Sequence, residues 1–212
     1  LPYRPRYHFT ISAKGVKQGD FTMVYGYPGR TQQYVISPAV DFIANRSNPQ
    51  KIHLRSLCLD VMNREQAKDP AVRIQYSSKN AGVSNSWKKW QGESRGILNA
   101  GTIAKKQEFE KRFQEWAEAS GRQEYITLIP RMKELYSQLE PYLFASEMYA
   151  EAVMAVELLR FANTLESTVE RSGTANAAEL AERFFKDYYL PIDREIFEKL
   201  FARFYAAMEP YS

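Results

Sequence analysis

The chain has 212 residues, of which 44% are hydrophobic, 14% aromatic and 25% charged, so it carries enough apolar side chain for one sizeable core or two small ones and is not disordered by composition. The formal net charge of +4 is modest, and Lys and Arg alternate with Glu and Asp instead of gathering in a block, which marks solvated helix faces and argues against nucleic-acid binding. The single cysteine, Cys58, excludes an internal disulfide and a cysteine-based metal cluster. Set in the apolar run Leu57-Cys58-Leu59, it reads as a buried thiol and not as a nucleophile. No stretch approaches the roughly 18 continuous apolar residues that would cross a bilayer, and the opening Leu1-Pro2-Tyr3-Arg4-Pro5 is not a signal peptide. Starting on Leu and ending directly after a helical pattern, the sequence is expected to be part of something longer.

The first 36 residues have a β texture. Short apolar clusters are broken by Gly15, Gly19, Gly26, Pro28 and Gly29, which predicts strands over 7–11 and 20–27 joined by tight turns. A two-stranded piece is marginal in water, so its partner strands are expected elsewhere.

From Ser37 the punctuation becomes that of helix starts, with a capping side chain before a proline at Ser37-Pro38, Asn48-Pro49 and Asp69-Pro70. Apolar stripes at helical spacing follow. One comprises Phe109, Phe113, Trp116 and Ala117; another Ile126, Ile129, Leu135, Tyr136 and Leu139; a third Ile196, Phe197, Leu200, Phe201, Phe204, Tyr205 and Met208. Each stripe should bury against another helix. Breaks are expected at Ser120-Gly121, Glu140-Pro141, Ser172-Gly173 and Leu190-Pro191, giving a mainly α antiparallel helical bundle with a short N-terminal β portion.

Catalytic constellations are sparse. His8 falls in the first predicted strand and His53 in a helix, with no GxSxG turn, no HExxH spacing, no phosphate loop and no GxGxxG. No catalytic residue, metal ligand or cofactor is therefore assigned. Two runs stand out. Gly26-Tyr27-Pro28-Gly29-Arg30-Thr31 is either a plain turn or a cleft-rim turn presenting Arg30. The run 76–92 puts small, amide-bearing and aromatic residues on a predicted helix whose local propensity is poor, which points either to helix packing with Trp87 and Trp90 inside or to a binding face.

The run 16–31, VKQGDFTMVYGYPGRT, followed by Ser84-Asn85-Ser86-Trp87-Lys88-Lys89-Trp90-Gln91-Gly92, resembles the bacterial exodipeptidases named dipeptidyl peptidase 7 and dipeptidyl peptidase 11, peptidase family 46 of the serine class. The resemblance implies a chymotrypsin-type double β-barrel with an inserted helical domain capping the cleft. Residues 1–36 would be strands of the second barrel and 37–212 part of the cap. It further implies a Ser-His-Asp triad outside this span, release of dipeptides from a peptide with a free N-terminus, and location in the periplasm or at the cell surface of a Gram-negative bacterium. By position in the motif, Asn85 inherits a role in binding the substrate's N-terminal ammonium. What sets the preference for the residue before the cleaved bond lies near the absent serine. The expected partners are the peptide substrate and the remainder of the peptidase chain; strand edges left without partners could also pair with a second copy in a non-native homodimer. The competing reading is a stand-alone helical interaction module that binds a peptide or protein through Lys88, Lys89 and Trp90.

Overall fold

A computed structural model of the chain describes residues 4–26, 29, 32 and 34–211. It divides into two units, residues 1–33 and 34–212.

In the first unit the turns form and the strands do not. The Asp20 N–H donates to the Lys17 carbonyl (3.1 Å) while the Lys17 N–H donates to Asp20 Oδ2 (2.8 Å). Gly19, at φ +94°, takes the position where a type II turn requires a positive dihedral. Among the described residues the spans predicted as strands are exposed and form no ladder. A strand is defined by its neighbour, and none of the described residues supplies one. The rest of the second predicted strand and its turn, Tyr27, Pro28, Arg30 and Thr31, lies outside the described residues.

The second unit is helical, as expected. Its helices are α1 (Ser37–Phe42), α2 (Asn48–Lys68), α3 (Pro70–Asn99), α4 (Thr102–Ser120), α5 (Gln123–Ile126), α6 (Leu128–Met148), α7 (Glu157–Ser172), α8 (Thr174–Lys186) and α9 (Leu190–Met208). A π-helical turn, Ile43–Ser47, joins α1 to α2, and a second, Tyr149–Val153, extends α6.

The expected boundaries at Asp69-Pro70, Ser120-Gly121, Ser172-Gly173 and Leu190-Pro191 stand where the sequence put them. The Asp69 carboxylate caps α3 by accepting from the Ala71 N–H (2.7 Å). Gly121 ends α4 at φ +67°, a left-handed conformation that glycine adopts without strain, and Pro191 sits in the first turn of α9.

Two boundaries do not form. Asn48 is no cap, because α1, the π turn and α2 run on without a break. The Asn48 N–H reaches back five residues to the Ile43 carbonyl, and this widened turn lies where the Pro49 ring would otherwise press on the preceding coil. Likewise α6 continues through Pro141. Phe144 and Met148, within the next two turns, are buried in the core, and Glu140 pairs with Arg46, so packing outweighs a helix-interior proline cost of about 3 kcal/mol.

Helix direction follows from the pairings. Asn48 with Glu93 and Ser94, Ser56 with Trp87, and Asn63 with Asn80 make α2 and α3 an antiparallel hairpin. Arg64 with Glu195 and Arg203 with Gln50 set α9 antiparallel to α2. In contrast, Arg46–Glu140, Lys51–Glu147 and Arg55–Glu151 advance together, so α6 with its π turn runs parallel to α2. The core gathers Leu54, Val61, Tyr76, Met148, Ile192 and Leu200 from these helices.

The apolar stripes bury only in part. Ala117, Ile196 and Leu200 are buried, yet Phe109 is 64% exposed, Trp116 50% and Tyr205 70%, and Leu135 and Leu139 are also exposed. Helical periodicity predicts a face but not what covers it.

Two helix starts are closed from a distance. Glu110 of α4, buried, accepts from the Ser37 N–H (2.5 Å) and the Ser37 hydroxyl (2.8 Å) at the start of α1, and Lys133 Nζ lies 3.3 Å away. Asp193 of α9, also buried, accepts from the Glu157 N–H (2.7 Å), the Leu158 N–H (3.0 Å) and the Tyr188 hydroxyl (3.1 Å), capping α7. Carboxylates suit helix N-termini because the unpaired N–H groups and the helix dipole both favour negative charge there. Replacing Glu110 by Ala is expected to destabilise the chain by about 3 kcal/mol, since it strips two charge-assisted hydrogen bonds from a buried site. Denaturant unfolding of the wild type and the variant measures it, and equal midpoints would refute the cap.

Candidate functional site

The distinctive run 76–92 lies wholly on α3 and divides by face. Its inward side is tied to α2. The Trp87 indole Nε1–H donates to Ser56 Oγ (2.9 Å), and Ser56 in turn donates to the Ile52 carbonyl (2.8 Å). The Trp90 ring lies under two cations one helical turn apart on α2, with Lys51 Nζ 4.6 Å and the Arg55 guanidinium 4.7 Å from its centroid. Arg55 also binds Glu151 through both ends of its fork (2.7 and 2.9 Å) and donates to the Val83 carbonyl of α3 (3.3 Å). Thus both tryptophans serve helix packing, as one of the two sequence readings had it.

The outward side is different. Asn85 is exposed, and its amide has no hydrogen-bond partner among the described residues. Lys89 and Gly92 share its exposed face, where an added side-chain carbon at Gly92 would meet nothing within 4 Å. The backbone there is open to approach. Lys88 and Lys89 are exposed, whereas Trp90 is turned to α2, so the basic and aromatic residues of the interaction-module reading do not form one surface.

The start of α3 is fixed to α7 and to the segment just before α9. Tyr76, fully buried, accepts from the Tyr189 N–H (3.3 Å), and Lys79 donates to Glu157 Oε2 (2.5 Å) and the Asp187 carbonyl (2.6 Å). Burial and the nearby Glu157 carboxylate push the Tyr76 hydroxyl far above the usual phenol range. Between α2, α3, the second π turn and α7 is a cavity of about 310 Å³, lined in part by Arg55, Cys58, Lys79, Gly82, Glu151 and Glu157.

His53 is exposed on α2, and His8 is exposed in the first unit. Arg30 lies outside the described residues. Cys58 is buried, as read from its apolar neighbours. Among the described residues no group of three or more His, Cys, Asp or Glu side chains is arranged to hold a metal ion, and no helix is long and apolar enough to cross a membrane.

Sequence reasoning passed over Arg55, Ser56 and Glu151. A signal existed: Lys51 and Arg55 are spaced i,i+4, as are Glu147 and Glu151, a matched ladder of opposite charge on two helices.

Residues 1–210 match the Peptidase S46 family. The chain belongs to that family. Among its relatives, the Asp/Glu-specific dipeptidyl-peptidase of Capnocytophaga gingivalis is 38% identical over 222 residues, covering 99% of this chain and 31% of that protein. The protein of the same description from Flavobacterium psychrophilum is 39% identical over the same coverage, and dipeptidyl-peptidase 7 of Phocaeicola vulgatus is 28% identical, also over 99% and 31%. The crystal structure of Porphyromonas endodontalis DPP11 in complex with the dipeptide Arg-Glu matches with a TM-score of 0.72 at 25% identity, covering 96% of this chain and 31% of that one. The Peptidase S46 chain described here therefore spans about a third of the length of these relatives.

Burial raises the Cys58 thiol from its ordinary 9.0 to about 12, more strongly than the neighbouring Arg55 charge lowers it. The thiol is therefore neutral at pH 7 and poorly nucleophilic. Burial and the Asp193 carboxylate likewise lift Tyr188 from 10.0 to about 12. The unfolded chain releases these protons at lower pH than the folded one, so their contribution is intact below about pH 9 and is lost as pH rises towards 12. Equilibrium unfolding across pH 8 to 11 is expected to show falling stability, and native Cys58 is expected to resist a thiol reagent at pH 7 that labels the unfolded chain. Rapid labelling of the native chain would contradict the assignment.

Proposed function

We propose that this chain is the helical cap portion of a serine-type dipeptidyl peptidase, and that Asn85 binds the free amino terminus of the peptide substrate. The observation that carries the reading is the division of α3: Trp87 and Trp90 hold one face to α2, while Asn85 on the other face is exposed with an unengaged amide. An amide side chain suits this task. Its carbonyl accepts from an ammonium, and its NH₂ donates to a substrate carbonyl. An exopeptidase that removes two residues must register the scissile bond against the charged terminus, and a fixed acceptor on a rigid helix supplies that register.

Residues 1–36 are proposed to complete a β-barrel with strands from the remainder of the protein, and the triad is proposed to lie in that remainder. The exposed, unladdered residues described in the first unit and the apolar side chains left exposed at Phe109, Trp116, Leu135 and Tyr205 support a larger assembly, as does a match to about a third of each relative. The substrate preference proposed is for an acidic residue before the cleaved bond. It rests on identities of 38% and 39% to the two Asp/Glu-specific relatives, against 28% to the dipeptidyl-peptidase 7 of Phocaeicola vulgatus. Location in the periplasm or at the cell surface of a Gram-negative bacterium is proposed from the family resemblance alone, and cell fractionation tests it.

In the full-length protein, Asn85→Ala is expected to lower kcat/KM for an acidic dipeptidyl reporter by about 10- to 100-fold, the loss of one to two hydrogen bonds to charged or buried groups. Steady-state kinetics on acidic and hydrophobic dipeptidyl reporters measures both claims. Unchanged kinetics would remove Asn85 from the site, and faster cleavage after a hydrophobic residue would overturn the preference.

A further inference from the structure

The two tethers of α3 bracket Asn85. On one side the Val83 carbonyl receives Arg55 Nη1 at 3.3 Å; on the other the Trp87 indole reaches Ser56 Oγ at 2.9 Å. Both anchors come from consecutive residues of α2, so the segment 83–87 is gripped from one place. Arg55 is itself immobilised by its two-pronged bond to Glu151 of the second π turn and by its contact with the Trp90 ring. A bidentate guanidinium between fixed partners has little freedom left to lose, and this pair is mostly buried.

A poor local helix sequence explains why such a grip is useful. The stretch Ser84-Asn85-Ser86 is made of residues that compete with the helical backbone for hydrogen bonds, and Gly82 lies just before it. Left to propensity, this part of α3 would be the first to loosen. The tethers act on its inward side and leave the outward side bare.

We infer that Arg55 and Trp87 are positioning residues for substrate binding: by holding α3 to α2 on either side of Asn85, they fix the place at which its amide meets the substrate's amino terminus. The inference rests on the function proposed above. Its consequence is specific, because a displacement of the order of 1 Å in a binding group is felt in activity.

The test is a double-mutant cycle in the full-length enzyme, read with a dipeptidyl reporter. Trp87→Phe keeps an aromatic ring and removes the N–H donor; Arg55→Lys keeps the charge opposite Glu151 and removes the fork. Each is expected to raise KM about fivefold, the equivalent of one ordinary hydrogen bond, with kcat changed less than about twofold. In the Asn85→Ala background the same substitutions are expected to change KM by less than about twofold, since they act through Asn85. Thermal melting of all variants accompanies the kinetics. Unaltered KM in the single variants overturns the inference, and so does an equal KM increase with and without Asn85, which is the signature of general packing. If Asn85→Ala alone leaves KM unchanged, the failure belongs to the proposed function and not to the tethers.

Discussion

One guanidinium, that of Arg55, ties the α2–α3 hairpin to the turn that follows α6. Arg55 joins three elements at once, α2 that carries it, α3 through the Val83 carbonyl and the Trp90 ring, and the π turn after α6 through Glu151. Around it the antiparallel pair α2–α3 and the parallel pair α2–α6 share a common reference. A buried ion pair by itself is weak evidence for stability, because desolvation offsets much of the attraction. The value of this one lies in geometry: its fork and flat face admit few alternative arrangements of the three elements.

The same logic governs the helix ends. Local capping is thin in this unit, and the structure closes α1 with Glu110 from α4 and α7 with Asp193 from α9. A long-range cap links the start of one helix to the packing of another, so the two form together or not at all. Both carboxylates are buried, and each has its own second partner, Lys133 for Glu110 and the Tyr188 hydroxyl for Asp193. With α2 and α9 docked along their length, the result is a scaffold rigid enough to present a single amide on the outer face of α3.

Much of this was legible in the chain, and the failures are informative. Asp69-Pro70, Gly121 and Leu190-Pro191 gave correct boundaries because cap chemistry and dihedral preference act within a few residues. Asn48-Pro49 and Pro141 misled, because a π turn in one case and core packing in the other overrode the local rule. The strands predicted before residue 28 were read from a real β texture, yet a ladder needs partners, and among the described residues they have none. The exposed Phe109, Trp116 and Tyr205 show the same limit for helices. At the candidate site, the helix and the packing role of Trp87 and Trp90, one of the two readings left open, were legible in residues 76–92, whereas Asn85 was singled out only by the family resemblance. Arg55 was passed over: its i,i+4 spacing with Lys51 was visible, but its partners Val83 and Glu151, 28 and 96 residues away, were not.

The central claim is that the exposed amide of Asn85 receives the amino terminus of a bound peptide. A crystal structure of the full-length protein with an acidic dipeptide bound is the most direct measurement. The Asn85 side-chain oxygen is expected within hydrogen-bond distance, roughly 2.7–3.2 Å, of the dipeptide's ammonium nitrogen. A dipeptide seated with its ammonium against other groups, and Asn85 still facing solvent, would contradict it.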